Sequence, residues 1–358
     1  MDVILETREF NENSSVLSRC LIIMPIYNRR QFLQQAFQSL KEQTFSEWNL
    51  VIVDDGSCDQ PIEAIEVFSK QLRQHITYIK RSNGGPGAAR ATGQTFITTQ
   101  PYVAFFDSDD YWLPLYLETA LNQLESISEL DWVFCPCRRV EYCSGTTLLE
   151  STLVEEETGD PLGFQSLPVQ RRGNVFVFKD NQALALAQLK QPIHAGFQNS
   201  VIRAALALDI RIPEYRIGED RYFLLAAILR GYNIGYTTEV GVIYHVHESN
   251  FSDTNRNNID ITKMVAVQKE LCRSFSDIKT LTQDKRILRA AGRQRANIKF
   301  WIIAYHYYWQ SGCIGKSLST MAAVAITHPT DWRYLKTFLL SVLRAPMMVL
   351  RNTNKSGH

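Results

Sequence analysis

The stretch Tyr102-Val103-Ala104-Phe105-Phe106-Asp107-Ser108-Asp109-Asp110-Tyr111-Trp112 decides how this chain folds. Its first half is a short apolar run after Pro101, which reads as a strand over residues 102–106 buried inside a sheet. Three carboxylates within four positions follow, so they stand at the strand's C-terminal end. In an open α/β sheet that edge binds ligands, and carboxylates gathered there suit a hard divalent cation, Mn²⁺ or Mg²⁺. The competing reading is a solvated acidic turn capping the next helix, because acids favour helix N-termini.

The same order of strand, polar turn and helix occurs three times upstream. Residues 21–24 are an apolar strand ended by Pro25-Ile26-Tyr27-Asn28, and from Asn28, a good N-cap, Phe32, Leu33, Ala36, Phe37 and Leu40 follow helical spacing. Residues 50–53 form the next strand, stopped by Asp54-Asp55-Gly56-Ser57, with Ile62, Ile65 and Phe68 marking its helix. A third strand at 76–79 leads through Asn83-Gly84-Gly85-Pro86-Gly87 into a helix from about Ala88. Such alternation predicts a doubly wound, mostly parallel sheet with helices on both faces, its acids, glycines and asparagine all on one edge.

Downstream, Leu117, Ala120, Leu121, Leu124 and Ile127 make an amphipathic helix, and strand character resumes at 132–134. Residues 143–192, with Glu155-Glu156-Glu157, Gly159, Pro161 and Gly163, read as a long surface excursion. Order returns at 194–208, and Gly218-Glu219-Asp220 opens a helix through Phe223, Ala227 and Ile228 to a terminal Gly231. Strands are expected at 234–237 and 242–246, the second feeding His245 and His247. Helices are expected at 287–309, 317–327 and 332–343.

A chain of 358 residues with 45% apolar content suggests about two domains. Residues 1–18 read as a polar N-terminal arm and 19–254 as the α/β domain, in two halves at about 19–135 and 136–254. Residues 255–358 follow as a C-terminal helical segment. Residues 1–254 carry 21 Lys+Arg against 32 Asp+Glu, and 255–358 carry 17 against 5, a net of +12. That asymmetry points to an anionic partner for the tail, a membrane surface or the acidic body; no nucleic-acid module accompanies it. Seven scattered cysteines and a polar N-terminus without a secretory signal fit reduced thiols in the cytoplasm, not a zinc site. No apolar run reaches membrane-spanning length, so a peripheral place on the inner face of the plasma membrane is the expectation.

Taken in order, Pro25-Ile26-Tyr27-Asn28, Val53-Asp54-Asp55-Gly56-Ser57, Asn83-Gly84-Gly85-Pro86-Gly87-Ala88-Ala89-Arg90, Asp107-Ser108-Asp109-Asp110, Gly218-Glu219-Asp220 and His247-Glu248-Ser249 resemble the motif set of family 2 glycosyltransferases. The resemblance covers about residues 19–253. It implies a GT-A fold, a nucleotide-diphosphate-sugar donor (a UDP-sugar first), a divalent metal and inversion at the anomeric carbon. Asp109 is then the expected metal ligand, with Asp107 reaching the metal through water or contacting ribose. Asp110 serves either purpose or caps the helix.

One of Asp54 and Asp55, with Asp55 preferred, touches the nucleobase. Pro25, Tyr27, Asn28, Ser108 and the Gly84-Gly85 loop line the nucleotide sugar, the glycines permitting close backbone approach. Arg90 pairs with a carboxylate or a phosphate. Asp220 is the expected general base, with Glu219 the fallback, and His247 completes the metal shell or binds diphosphate. The chain lacks the Gln-x-x-Arg-Trp motif of processive synthases, which favours transfer of one sugar to a glycan or lipid-linked acceptor. Two rivals from other classes are a nucleotide-sugar-binding protein without turnover and a nucleotidyltransferase; the first strand's loop has no glycine for the latter's phosphate cradle.

Overall fold

The computed structural model describes residues 4–12, 17–248 and 261–355, with side chains as far as residue 347. Ser249 of the His-Glu-Ser motif and the stretch around Asn255 lie outside the described residues. The chain divides into two compact units, Met1–Thr254 and Asn255–His358.

In the first unit the strands are β1 (Ile4–Phe10), β2 (Cys20–Ile26), β3 (Trp48–Asp54), β4 (Ile76–Arg81), β5 (Tyr102–Phe105), β6 (Tyr111–Trp112) and β7 (Trp132–Phe134). They continue with β8 (Cys137–Glu141), β9 (Thr147–Leu149), β10 (Val169–Arg172), β11 (Val175–Phe178), β12 (Ser200–Arg203), β13 (Ile234–Tyr236) and β14 (Val242–Val246). The helices are α1 (Arg30–Lys41), α2 (Ile62–Ser69), α3 (Pro86–Gln94), α4 (Tyr116–Ser126), α5 (Asn181–Lys190), α6 (Ala204–Asp209) and α7 (Glu219–Leu229).

A ten-stranded sheet runs β1-β4-β3-β2-β5-β12-β7-β13-β11-β10, and a small sheet runs β6-β14-β8-β9. The expected parallel sheet is its inner block, β4-β3-β2-β5. These strands are buried on both faces, which is why they read as unbroken apolar runs. Beyond β5 the sheet turns antiparallel, because β12 lies between β5 and β7 and opposes both.

Two expectations are corrected. The polar arm contains a strand, since β1 pairs antiparallel with β4 along the open edge. Its exposed Glu6, Arg8 and Glu9 are the charges by which an edge strand avoids further pairing, so the stretch looks like an arm. The excursion at 143–192 is also built. It contributes β9 to the small sheet and a β10–β11 hairpin to the large one, turned at Gly173 (φ 58°) with Asn174.

The second unit holds α8 (Ile261–Asp277), α9 (Lys285–Asn297), a π-helical continuation Ile298–Trp309, α10 (Ile314–Thr327) and α11 (Trp332–Lys355). Phe300, Ala304, Met321, Val324 and Tyr334 form its core. Among the described residues no helix is long and apolar enough to cross a membrane.

Candidate active site

The loops after β2, β3, β4 and β5 meet at the C-terminal edge of the parallel block. Asn28 does not cap α1, which starts at Arg30. It takes a left-handed conformation (φ 51°) and reaches across to the next loop, where its Oδ1 accepts from Cys58 N–H at 2.9 Å and its own N–H donates to Ser57 Oγ at 3.0 Å. Tyr27 beside it is half exposed, and Pro25 is partly buried.

Asp54 and Asp55 have different partners. Asp54 is fully buried, and its two oxygens accept from Ser57 N–H (2.7 Å) and from the Tyr78 hydroxyl (2.7 Å). It braces its own turn and the neighbouring strand. Asp55 accepts from the backbone N–H of Gly84 (2.9 Å) and Gly85 (2.7 Å), with Arg81 Nε at 3.6 Å. Burial raises its pKa against the pull of those donors.

The glycines serve protein packing as well. A Cβ on Gly84 would lie 2.8 Å from Ala88 Cβ, and one on Gly85 (φ 94°) would lie 2.7 Å from Arg216 Cγ. Gly87 has no room beside Pro213 and Tyr215 carbonyls. The close approach that Gly85 and Gly87 permit includes one to the 213–216 segment.

The turn after β5 is less self-sufficient. Asp109 Oδ2 faces His247 Nε2 at 3.1 Å and Arg29 Nε at 3.3 Å. Burial works to raise its pKa, but the His247 hydrogen bond and the Arg29 charge outweigh it and hold the carboxyl below its usual range. The His247 ring stacks on Phe32, centroids 4.3 Å apart. His245, one step inward on β14, donates its N–H to Asp110 Oδ1 (3.2 Å), and its Nδ1 lies 2.8 Å from the Asp109 carbonyl. Asp110 is 1% exposed, its Oδ2 has no hydrogen-bond partner, and burial with two neighbouring acids raises its pKa well above the usual range. Ser108 is buried.

These residues suit a divalent cation in kind: a carboxylate and an imidazole within 3.1 Å, beside a buried carboxylate oxygen with unused acceptor capacity. Among the described residues no group of three or more such side chains could hold a metal alone.

Arg90 connects this turn to α7. Its guanidinium, 6% exposed, bonds Asp107 Oδ1 with one terminal nitrogen and Glu219 Oε1 with the other (2.5 Å), and lies over the Phe197 ring at 5.1 Å. Of the two partners open to Arg90, carboxylate and phosphate, the structure selects carboxylates, two of them. Burial pushes the Glu219 carboxyl up to about 7 despite that partner. Gly218, left-handed at φ 80°, lets the chain enter α7 so that Glu219 turns inward, while Asp220 stays partly exposed.

Asp220 lines a cavity of about 620 Å³ together with Arg221, His194, Gln198, Arg139 and Glu156. His194 is exposed and holds a left-handed φ of 56°. Such backbone strain collects at functional sites. The sequence reading did not single out Arg139 and Arg221; the spacing of a lone arginine carries no sign of which cavity it lines.

The parallel block, the antiparallel β12 and the acid turn after the last parallel strand define a GT-A glycosyltransferase fold. S. aureus TarS (residues 1–349, in complex with UDP-GlcNAc) shares it at 16% identity with a TM-score of 0.56, over 95% of this chain and 92% of that one. Mannosyltransferase PcManGT from Pyrobaculum calidifontis, in complex with GDP-Man and Mn²⁺, shares it at 17% identity with a TM-score of 0.51, over 93% and 88%. Residues 21–179 match the model of Glycosyl transferase family 2. Succinoglycan biosynthesis protein ExoW of Rhizobium meliloti is 32% identical over 117 residues, which is 32% of this chain and 36% of that protein's length.

Proposed function

We propose that this protein transfers one sugar from a nucleotide-diphosphate sugar to an acceptor hydroxyl in the synthesis of a polysaccharide or other cell-surface glycan. The observation that carries the reading is the Arg90 bridge, which ties Asp107 of the donor turn to Glu219, the neighbour of Asp220, with Arg90 and Glu219 129 positions apart in sequence. The UDP-GlcNAc of the TarS complex and the GDP-Man of the PcManGT complex support a nucleotide-sugar donor. The Mn²⁺ of the latter supports a divalent ion, Mn²⁺ or Mg²⁺. Asp109 and His247 would hold that ion, which when bound stabilises the negative charge on the departing diphosphate.

The remaining chemistry belongs to the chain's own side chains. Asp220, on the wall of the large cavity, accepts the proton from the acceptor hydroxyl as it attacks the anomeric carbon. Glu219 is committed to Arg90, which removes it from that role. The cavity takes the acceptor, a glycan or its lipid-linked form. Residues 255–358, with their net charge of +12, attach the protein to an anionic membrane surface from the cytoplasmic side.

Thermal shift with UDP-, GDP- and dTDP-sugars in Mn²⁺ or Mg²⁺ tests the donor: a ligand at about 100 times its Kd adds roughly 2.7 kcal/mol. Asp220→Asn keeps that shift and loses transfer by about 10²- to 10⁴-fold. Absence of stabilisation by every nucleotide sugar sinks the proposal, and an active Asp220→Asn enzyme sinks the base.

A further inference from the structure

We infer that α11 is the element that docks on the membrane, with its outward face lying in the headgroup region of an anionic leaflet. The inference rests on the reading of residues 255–358 as the attaching segment and narrows it to one helix face. Trp332, Leu335, Leu339, Val342, Leu343 and Met347 are 64%, 49%, 52%, 42%, 73% and 62% exposed. At 3.6 residues per turn they fall within an arc of about 140°. A different face of the same helix makes the core contact, where Tyr334 is fully buried, Ser341 is 4% exposed and Phe338 packs against the core cluster. The exposed stripe is therefore a second apolar face, beyond what the unit's interior requires. Contiguous exposed apolar surface of this kind marks an interaction site.

Charge identifies the occupant. From Trp332 to Lys355 the helix carries Arg333, Lys336, Arg344, Arg351 and Lys355 and no Asp or Glu. By helical position Arg344 falls beside the stripe and Lys336 near its margin, its Nζ 5.1 Å from the Trp332 ring, while Arg333 is paired with Asp331. A basic helix with an apolar face led by tryptophan is suited to lie in the plane of a bilayer interface, its lysines and arginines on lipid phosphates. A second copy of this chain fits poorly, because stripe against stripe would bring Lys336 and Arg344 of both copies to one seam. No described helix is long and apolar enough to span a membrane, which is consistent with docking in the plane.

The test is flotation of the full chain on phosphatidylcholine vesicles with and without about 30% phosphatidylglycerol, a composition that gives the surface the negative potential such segments read. The wild type floats with the anionic vesicles only, and Leu339→Glu/Leu343→Glu, two exposed positions whose change leaves the melting temperature alone, floats at least tenfold less. Lys336→Glu/Arg344→Glu lowers flotation in the same direction. If both double variants float like the wild type while neutralising Arg289, Arg293 and Lys299 abolishes flotation, the tail attaches by another helix and this inference falls alone. If the wild type does not float, the inference falls together with the reading of the tail. If the stripe variant instead dissociates an oligomer in light scattering, with flotation unchanged, the face is a self-contact and the inference is overturned.

Discussion

Two acidic turns close neighbouring regions of the same sheet edge, and they do opposite things. At the end of β3, Asp54 and Asp55 have all four carboxylate oxygens engaged by the protein: a hydroxyl and three backbone N–H groups. After β5, Asp107 and Asp109 are held by side chains, Arg90, Arg29 and His247, and Asp110 keeps an oxygen with no partner. Carboxylates satisfied by backbone build the floor. Carboxylates held by side chains from distant elements join those elements at the sheet edge.

The comparison can be broken in four ways, from the largest effect down. Asp109→Ala should lower transfer by about 10³-fold and abolish its metal dependence, the size expected when a charge-stabilising group is lost; activity within tenfold of wild type would erase the distinction. Asp54→Ala should cost stability instead, roughly 3 kcal/mol in urea unfolding, because a buried hydroxyl and a buried N–H lose their acceptor. An unchanged unfolding midpoint would show that the first turn is not structural. Gly85→Ala should cost about 2 kcal/mol, the strain of a side chain at φ 94° with Arg216 against it. Its donor affinity, measured by calorimetry, should stay near wild type if the glycine loop packs on protein and not on ligand.

The smallest effect concerns pH. Glu219 has its pKa raised from the ordinary 4.5 to about 7 in the folded protein, chiefly by burial. Its contribution to stability is thus fully present below pH 4.5 and lost as the pH rises through about 7. Glu219→Gln should flatten the stability profile across that window; a slope equal to wild type would remove Glu219 as its source.

Much of this was legible before any coordinates. The strands β2 to β5 are buried on both faces, so their sequences run apolar without interruption, and the loops after them carry their motifs in plain order. What stayed hidden depends on distance through space. β1 and β10 are the two edge strands of the large sheet and carry charges where a central strand carries valine. The insertion of β12 beside β5 leaves no local trace, because a strand's neighbours are not written in its own residues. In the site, Asp54, Asp55 and Asp109 look alike as letters after a strand. Which one is spent on Tyr78, which on the glycine loop and which on His247 is decided by partners 24, 30 and 138 positions away.

The placement of β12 and β14 has a further consequence for where this protein can be cut. The family match ends at residue 179, yet β12 separates β5 from β7 and β14 separates β6 from β8. A fragment stopped at that border would lose β12 and β13 from inside the large sheet and β14 from inside the small one, besides removing the His245 N–H from Asp110. The smallest piece that can stand alone reaches at least the end of β14. Limited proteolysis should therefore find no stable product ending near residue 179, however natural that border looks in an alignment.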